Sequence, residues 1–312
     1  MSFDPQSFTR NGKYRDALDL GFTKLPVLLV RGAEPGATLV VTGAVHGDEY
    51  EGVRAILETF EELDPAGMRG DLLAVPVANP PAFWNGTRSS PIDNGNLARV
   101  FPGDPNGPAT SAIAWHLAQF IISRADFYLD LHSGGVACEM PSMAGYDASD
   151  PRSRDGALAF GAEVIWAHPD VPPGRTVSFA KSRGIPFLYT EAFGAGRIHP
   201  ADLAMMKRGV RNLLRKLGIL SSSFETVPLR YHLFGEGNVH SGVNAPRTGF
   251  FLSDVQLLDR VEAGQRVGRM VTESGELVQA FDAPSAGVIG LLRRFPVVAK
   301  DDPLFLIAQV ID

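Results

Sequence analysis

Between about residues 25 and 217, short apolar runs alternate with segments of helical period. The runs at 27–30, 38–42, 72–77, 127–131, 164–166 and 187–190 have the length and apolar character of buried strands. Between them, apolar positions recur at helical spacing over about 50–62, 110–123, 176–183 and 199–217. This alternation predicts an α/β fold, a mixed and mostly parallel sheet covered by helices. Residues 79–109 break the pattern with Pro, Gly, Asn and Asp. So long an irregular stretch inside a compact domain points to a functional loop.

After Ser221-Ser222-Ser223 the helical period disappears, and from about 228 the chain reads as short strands punctuated by Gly and Pro. The expected division is a catalytic domain over 1–225 and a small all-β domain over 226–312. A faint repeat supports the second unit. Ala245-Pro246-Arg247-Thr248-Gly249, followed by Val261-Glu262-Ala263-Gly264, returns 38 residues later as Ala283-Pro284-Ser285-Ala286-Gly287, followed by Ala299-Lys300-Asp301-Asp302. Two related hairpin units packed face to face resemble the barrel-sandwich of biotinyl and lipoyl carrier domains. The turn at Thr272-Glu273-Ser274-Gly275 has no lysine to carry a prosthetic group, so that likeness is architectural.

Composition narrows the function classes. A net charge of −6 gives no electrostatic footprint for nucleic acid. Cys138 is the only cysteine, which excludes an intramolecular disulfide and a Cys-rich structural zinc site. No apolar run reaches the length of a membrane span. Met1-Ser2-Phe3-Asp4-Pro5 lacks the basic and apolar stretches of a secretory signal, so a cytoplasmic protein with a small-molecule substrate is expected. Assembly into a homo-oligomer stays open.

The candidate chemistry lies at strand ends. His46 and Glu49, in Gly43-Ala44-Val45-His46-Gly47-Asp48-Glu49, follow an apolar strand and precede a helix. Open α/β folds place their ligand crevices at that edge of the sheet. An imidazole and a carboxylate three residues apart can bind one zinc ion, which in catalytic sites takes three protein ligands and keeps a position open. Tyr128-Leu129-Asp130-Leu131-His132-Ser133-Gly134-Gly135 supplies His132 as the third ligand, at the end of another strand. About one zinc per chain is expected. Phe187-Leu188-Tyr189-Thr190-Glu191 brings Glu191 to a third strand end, where a carboxylate can act as general base.

These residues resemble the succinylglutamate desuccinylase/aspartoacylase family of the zinc carboxypeptidase clan. The likeness rests on residues 43–49, Asn96-Leu97-Ala98-Arg99-Val100-Phe101-Pro102-Gly103, Asp130-Leu131-His132 and Thr190-Glu191 with its following glycines. It implies a zinc hydrolase that removes an acyl group from the amino group of an amino acid, with a small C-terminal β domain. His46, Glu49 and His132 match the zinc ligands and Glu191 the general base. Arg88 matches the arginine that polarises the scissile carbonyl, and Arg99 the one that pairs with a substrate carboxylate. The family usually reads Asp-Leu-Asn-Arg where this chain has Asn96-Leu97-Ala98-Arg99. Asn96 is therefore expected to accept from a ligand imidazole without a charge, next to the substrate subsite, and Ala98 can grip nothing.

The leading expectation is thus an amidohydrolase for a small N-acyl amino acid or related amine. Its rivals are a metallocarboxypeptidase for peptides and a non-catalytic metal-binding or carrier-like protein. His116 reads as a packed helical histidine and His199 as part of a helix start. His168, His232 and His240 have no assignable partner in the sequence. Arg175 and Arg197 flank site loops but read as solvated cations.

Overall fold

The computed structural model describes residues 11–237 and 241–311, so His240 and the segment Met1-Ser2-Phe3-Asp4-Pro5 lie outside the described residues. A long mixed sheet forms the body. Its strand order begins Gly12–Asp19, Lys24–Arg31, Arg69–Val75, Glu34–Gly43, Phe127–Leu131, Phe187–Glu191, Met143–Asp147, Val164–His168. The central neighbours Arg69–Val75, Glu34–Gly43, Phe127–Leu131 and Phe187–Glu191 run parallel. Met143–Asp147 pairs antiparallel with Phe187–Glu191 and parallel with Val164–His168.

Apolar runs are needed here because both faces of the sheet are covered. Leu39, Val41 and Leu129 face one core, together with Ile56 and Phe60 of the helix Glu51–Glu62 and Met206, Val210 and Leu213 of the helix Pro200–Lys216. Val40, Leu73 and Tyr128 face the other, with Ile113 of Ala109–His116 and Val177 and Ala180 of Thr176–Ser182. Adjacent residues of one strand thus enter opposite cores, the period of two made visible. The long helix starts with Pro200, carries Asp202 in its first turn and ends on Arg215 and Lys216, an order that complements its dipole.

Three of the longer elements among the described residues were absent from the sequence pattern. Gly12–Asp19 is an edge strand, mostly half-buried or exposed, and its polar residues hide it. Met143–Asp147 is fully buried, yet three of its five residues, Ala144, Gly145 and Asp147, have weak strand preference. Gly145 is required there, because a Cβ would sit 2.2 Å from the Tyr189 ring. The helix Pro151–Phe160 has Asp150 as its cap, whose side chain accepts from the Arg152 N–H. The irregular stretch 79–109 contains only the short helix Pro80–Asn85 and a single turn at Leu97–Arg99.

The C-terminal region has its own core around Phe251, Val267, Met270 and Phe281, and a separate four-stranded antiparallel sheet. It is also joined to the body. Tyr231–Phe234 pairs parallel with Val164–His168, Pro303–Val310 pairs with Tyr231–Phe234, and Gly287–Arg293 follows. Gly287–Arg293 then pairs with Cys138–Glu139, which lies just beyond His132. The large sheet therefore continues across the boundary at 225/226, and the C-terminal strands are held beside the predicted site. Among the described residues, no helix is long and apolar enough to cross a membrane.

Candidate metal centre and its flanking cavities

Parallel register places three strand ends side by side, with Gly43 opposite Leu131 and Leu131 opposite Thr190. Each predicted residue follows from there. Beyond Gly43, Ala44 adopts a left-handed conformation (φ 48°) that an alanine enters only under external constraint. The constraint is visible: Ala78 N donates to Gly43 O at 2.9 Å, and Asn79 N to Ala44 O at 3.1 Å. The chain turns there, delivering His46 and Glu49 beneath the sheet edge before the helix Glu51–Glu62 starts. His132 is fixed by its own N–H, which donates to Thr190 Oγ1 at 3.2 Å.

The structure brings His46, Glu49 and His132 together. Nδ1 of His46 lies 2.8 Å from Glu49 Oε1, and Nδ1 of His132 lies 2.8 Å from Glu49 Oε2. One potential ligand atom from each residue falls within 4.8 Å of the others. All three side chains are largely buried, and two nitrogens with one carboxylate make a donor set that suits zinc. His132 carries a further sign of ligand design. Its Nε2–H donates to Asp130 Oδ2 at 3.0 Å, which fixes the ring and leaves Nδ1 facing Glu49. Asp130 is itself buried, and it accepts from Thr42 Oγ1 at 2.7 Å and from Thr176 Oγ1. His46 Nε2, by contrast, is buried with no partner among the described residues.

The electrostatics are those of a tightly packed charge cluster. Burial alone would raise the Glu49 pKa, but His46 and His132 overcome it and hold the carboxylate below its usual range. Burial alone would lower His132, and Asp130 and Glu49 reverse this to keep it well above the usual imidazole value. His46 falls to about 4 through burial and the positive charge of Arg88. Glu191 is pushed well above the usual carboxylate range, first by burial and then by Glu49. Its Oε2 is buried and unpartnered among the described residues.

Arg88 Nη1 approaches Glu49 Oε1 at 3.4 Å from the irregular loop. Arg88 and Glu191 line two cavities at once. The first is also walled by His46, His132, Arg99 and Arg175. The loops carrying its two outer guanidiniums are stitched together, since Phe101 N donates to Gly174 O at 3.0 Å. Gly174 is left-handed (φ 84°), and a Cβ there would lie 2.4 Å from Arg99 O. Arg99 is consequently lowered to about 10 by burial and by the like charges of Arg175 and Arg88. Nε of Arg175 is buried without a partner among the described residues. Crowded, incompletely bonded guanidiniums at a cavity end are a chemistry that suits an anion.

Asn96 does not join the group. Its side-chain oxygen accepts from Ala98 N at 3.0 Å, capping the Leu97–Arg99 turn, and it does not line either cavity. The carboxylate that holds an imidazole is Asp130, not a residue at position 96. The sequence contained its signal: Asp130 stands two positions before His132, and alternate residues of a strand share a face. Arg175, read as solvated, belongs to the cavity wall. His168 and Tyr189 were also missed. His168 Nδ1–H donates to Gly235 O at 2.8 Å, so its Nε2 accepts from the Tyr189 hydroxyl at 2.7 Å, and both residues line the first cavity.

The model of the succinylglutamate desuccinylase/aspartoacylase catalytic domain matches residues 35–217, and the chain belongs to this family. It is 34% identical over 301 residues to an N-alpha-acetyl-L-2,4-diaminobutyric acid deacetylase of Halomonas elongata, covering 94% of this chain and 87% of the relative. Among solved structures it is similar to the product-bound ectoine utilization protein EutE (DoeB) of Ruegeria pomeroyi, with a TM-score of 0.89, 27% identity and 96% of each chain covered. A succinylglutamate desuccinylase/aspartoacylase of Rhodobacter sphaeroides also gives a TM-score of 0.89, at 27% identity, with 100% of this chain and 99% of that one covered.

Proposed function

We propose that this chain is a zinc-dependent amidohydrolase that splits a small N-acyl amino acid into a carboxylate and a free amine. The observation that carries the reading is the grouping of His46, Glu49 and His132 around one point, with Glu191 and Arg88 facing the adjoining cavity. The family and the named relatives support a hydrolase acting on N-acyl amino acids.

Zinc held by His46, Glu49 and His132 would supply Lewis acidity and acidify a water towards neutrality. The other steps belong to side chains. Glu191 takes the proton of the attacking water and returns it to the leaving nitrogen; burial and the charge of Glu49 make it a stronger base than an exposed carboxylate. Arg88 donates to the carbonyl oxygen as negative charge gathers there. Arg99 and Arg175 hold the carboxylate of the amino acid. Asp130 orients His132, and Ala98 holds Arg99 through its carbonyl, which accepts from Arg99 Nη1 at 2.8 Å, while its side chain offers the substrate no hydrogen bond.

A metallocarboxypeptidase would use similar chemistry, but a peptide needs an open trough. Here Glu236 and Gly237 wall the first cavity, and Leu291, Arg293, Asp302 and Pro303 wall the second. These walls from the C-terminal region support a small-molecule substrate over a peptide. Zinc-loaded protein is to be assayed for amine release from N-acetyl, N-succinyl and N-formyl amino acids, with Nα-acetyl-L-2,4-diaminobutyrate and short peptides included. Release from acyl amino acids alone is expected. Cleavage confined to peptides would overturn the reading, and silence on both sets would favour a binding protein.

A further inference from the structure

The second cavity, of about 220 Å³, shares Arg88 and Glu191 with the guanidinium-lined one and has none of its outer guanidiniums. We infer that it is the acyl subsite and that it accepts an uncharged acyl group longer than acetyl. The inference rests on the amidohydrolase reading above.

The geometry follows from the amide itself. Its two substituents leave the planar C–N unit in opposite directions, and the groups assigned to the carbonyl oxygen and to the proton, Arg88 and Glu191, belong to the walls of both cavities. An amine portion bearing a carboxylate goes to the side where Arg99 and Arg175 stand with unused donors. The acyl portion is left with the second cavity.

The chemistry of that cavity then selects the acyl group. Ala137, Cys138, Met140, Leu291 and Pro303 give it an apolar wall, and Cys138, Met140 and Leu291 are buried. Its additional cation is already committed: Arg293 donates to Asp302 Oδ2 at 2.8 Å and to Phe295 O at 3.0 Å. Asp48 adds a buried carboxyl whose Oδ1 has no partner among the described residues, while Oδ2 accepts from Val136 N at 3.2 Å. A succinyl carboxylate would meet the carboxyls of Asp48 and Asp302, while of the two cations in the wall Arg293 is paired with Asp302 and Arg88 is engaged by Glu49 and the scissile carbonyl. A neutral alkyl chain meets no such opposition. At roughly 30 Å³ for a water-sized group, the space exceeds what an acetyl methyl fills and accommodates a butyryl chain. The carrying residues come from both sides of the sheet junction, which gives the pairing of Gly287–Arg293 with Cys138–Glu139 a functional consequence.

The test is an Nα-acyl-L-2,4-diaminobutyrate series of formyl, acetyl, propionyl, butyryl and succinyl, read as kcat/KM for wild type and for Ala137→Leu and Cys138→Leu. Wild type is expected to turn over butyryl within about tenfold of acetyl and succinyl at least about a hundredfold more slowly. Each filling variant should lose about tenfold or more on butyryl while formyl changes less than about twofold. Equal loss across the series in both variants, or a preference for succinyl, overturns the inference while leaving deacylation intact. If no acyl group is released at all, the function reading fails, and a crystal structure of Glu191→Gln with the butyryl compound still decides the subsite. The alkyl chain beside Cys138 and Leu291 supports it; the chain beside Arg99 and Arg175 overturns it.

Discussion

Asp130→Asn separates the proposed role of this carboxylate in orienting a zinc ligand from its role in the fold. Asp130 Oδ2 accepts from His132 Nε2 and Thr176 Oγ1, and Oδ1 accepts from Thr42 Oγ1. An asparagine oxygen in place of Oδ2 keeps the first two bonds. Its amide then faces Thr42, whose hydroxyl lies 2.6 Å from the Tyr128 hydroxyl and can turn to donate there. One amide N–H is left without an acceptor in this buried position, so stability should fall by about 1–3 kcal/mol. What disappears is the negative charge that raises the basicity of His132 Nδ1. Loss of such a partner costs roughly 10–100-fold in metal affinity, about 1.4–2.7 kcal/mol. Zinc competition against a chromophoric chelator measures the first quantity, and urea unfolding of the metal-free protein the second. Zinc affinity within about twofold of wild type would refute the argument, as would a drop in metal-free stability of more than about 3 kcal/mol, a loss expected only if the charge is structural.

Four further outcomes can be checked. His132→Ala should strip the zinc from a folded protein, and metal analysis showing undiminished zinc would remove His132 from the ligand set. Glu191→Gln should retain zinc and substrate binding while kcat falls by roughly 10²-fold or more, and wild-type turnover would eliminate Glu191 as the base. His168 is held to about 4 by burial. The unfolded chain therefore binds more protons than the folded one between about pH 6.5 and 4, and this site loses about 3 kcal/mol of stability as pH falls through that window. Urea unfolding of metal-free His168→Gln should show a shallower pH dependence by that amount, and an identical slope would show that the histidine is not buried in the neutral form. Ala98→Asn should place a second donor beside Arg99 and lower KM for carboxylate-bearing substrates by an amount worth roughly 0.5–1.5 kcal/mol. A raised KM in a folded variant would show that the small side chain serves another part of the substrate.

The site features visible in the sequence share one property: each belongs to a local pattern. His46, Glu49, His132 and Glu191 all follow short apolar runs, and parallel strands with their crossovers bring such ends to one edge of the sheet. Arg88 and Arg99 lie on an irregular loop, so the resemblance, not periodicity, singled them out. Arg175 carried no local sign, because its place depends on the contact between Phe101 and Gly174, far apart along the chain. The misplacement of Asn96 has a related cause. A motif position gives the residue type, whereas the direction of its side chain is decided by the nearest donor, here the Ala98 N–H two residues on.

The same distinction explains the C-terminal region. Its strand period is local and readable, but its pairing is a contact between Gly287–Arg293 and Cys138–Glu139 across roughly 150 residues, and periodicity cannot specify such a partner. That pairing is what moves the region from appendage to wall. Leu291 and Leu292 lie consecutively in the strand and take up different positions: Leu292 enters the C-terminal core, while Leu291 reaches the second cavity. Leu291 also packs with Cys138, Met140 and Trp166 in the core that joins this strand to the body. On the proposed reading the strand therefore stabilises the C-terminal core through one residue and shapes the substrate space through the next. Substitutions at Leu291 should accordingly alter acyl preference before they unfold the C-terminal core, and substitutions at Leu292 should do the reverse.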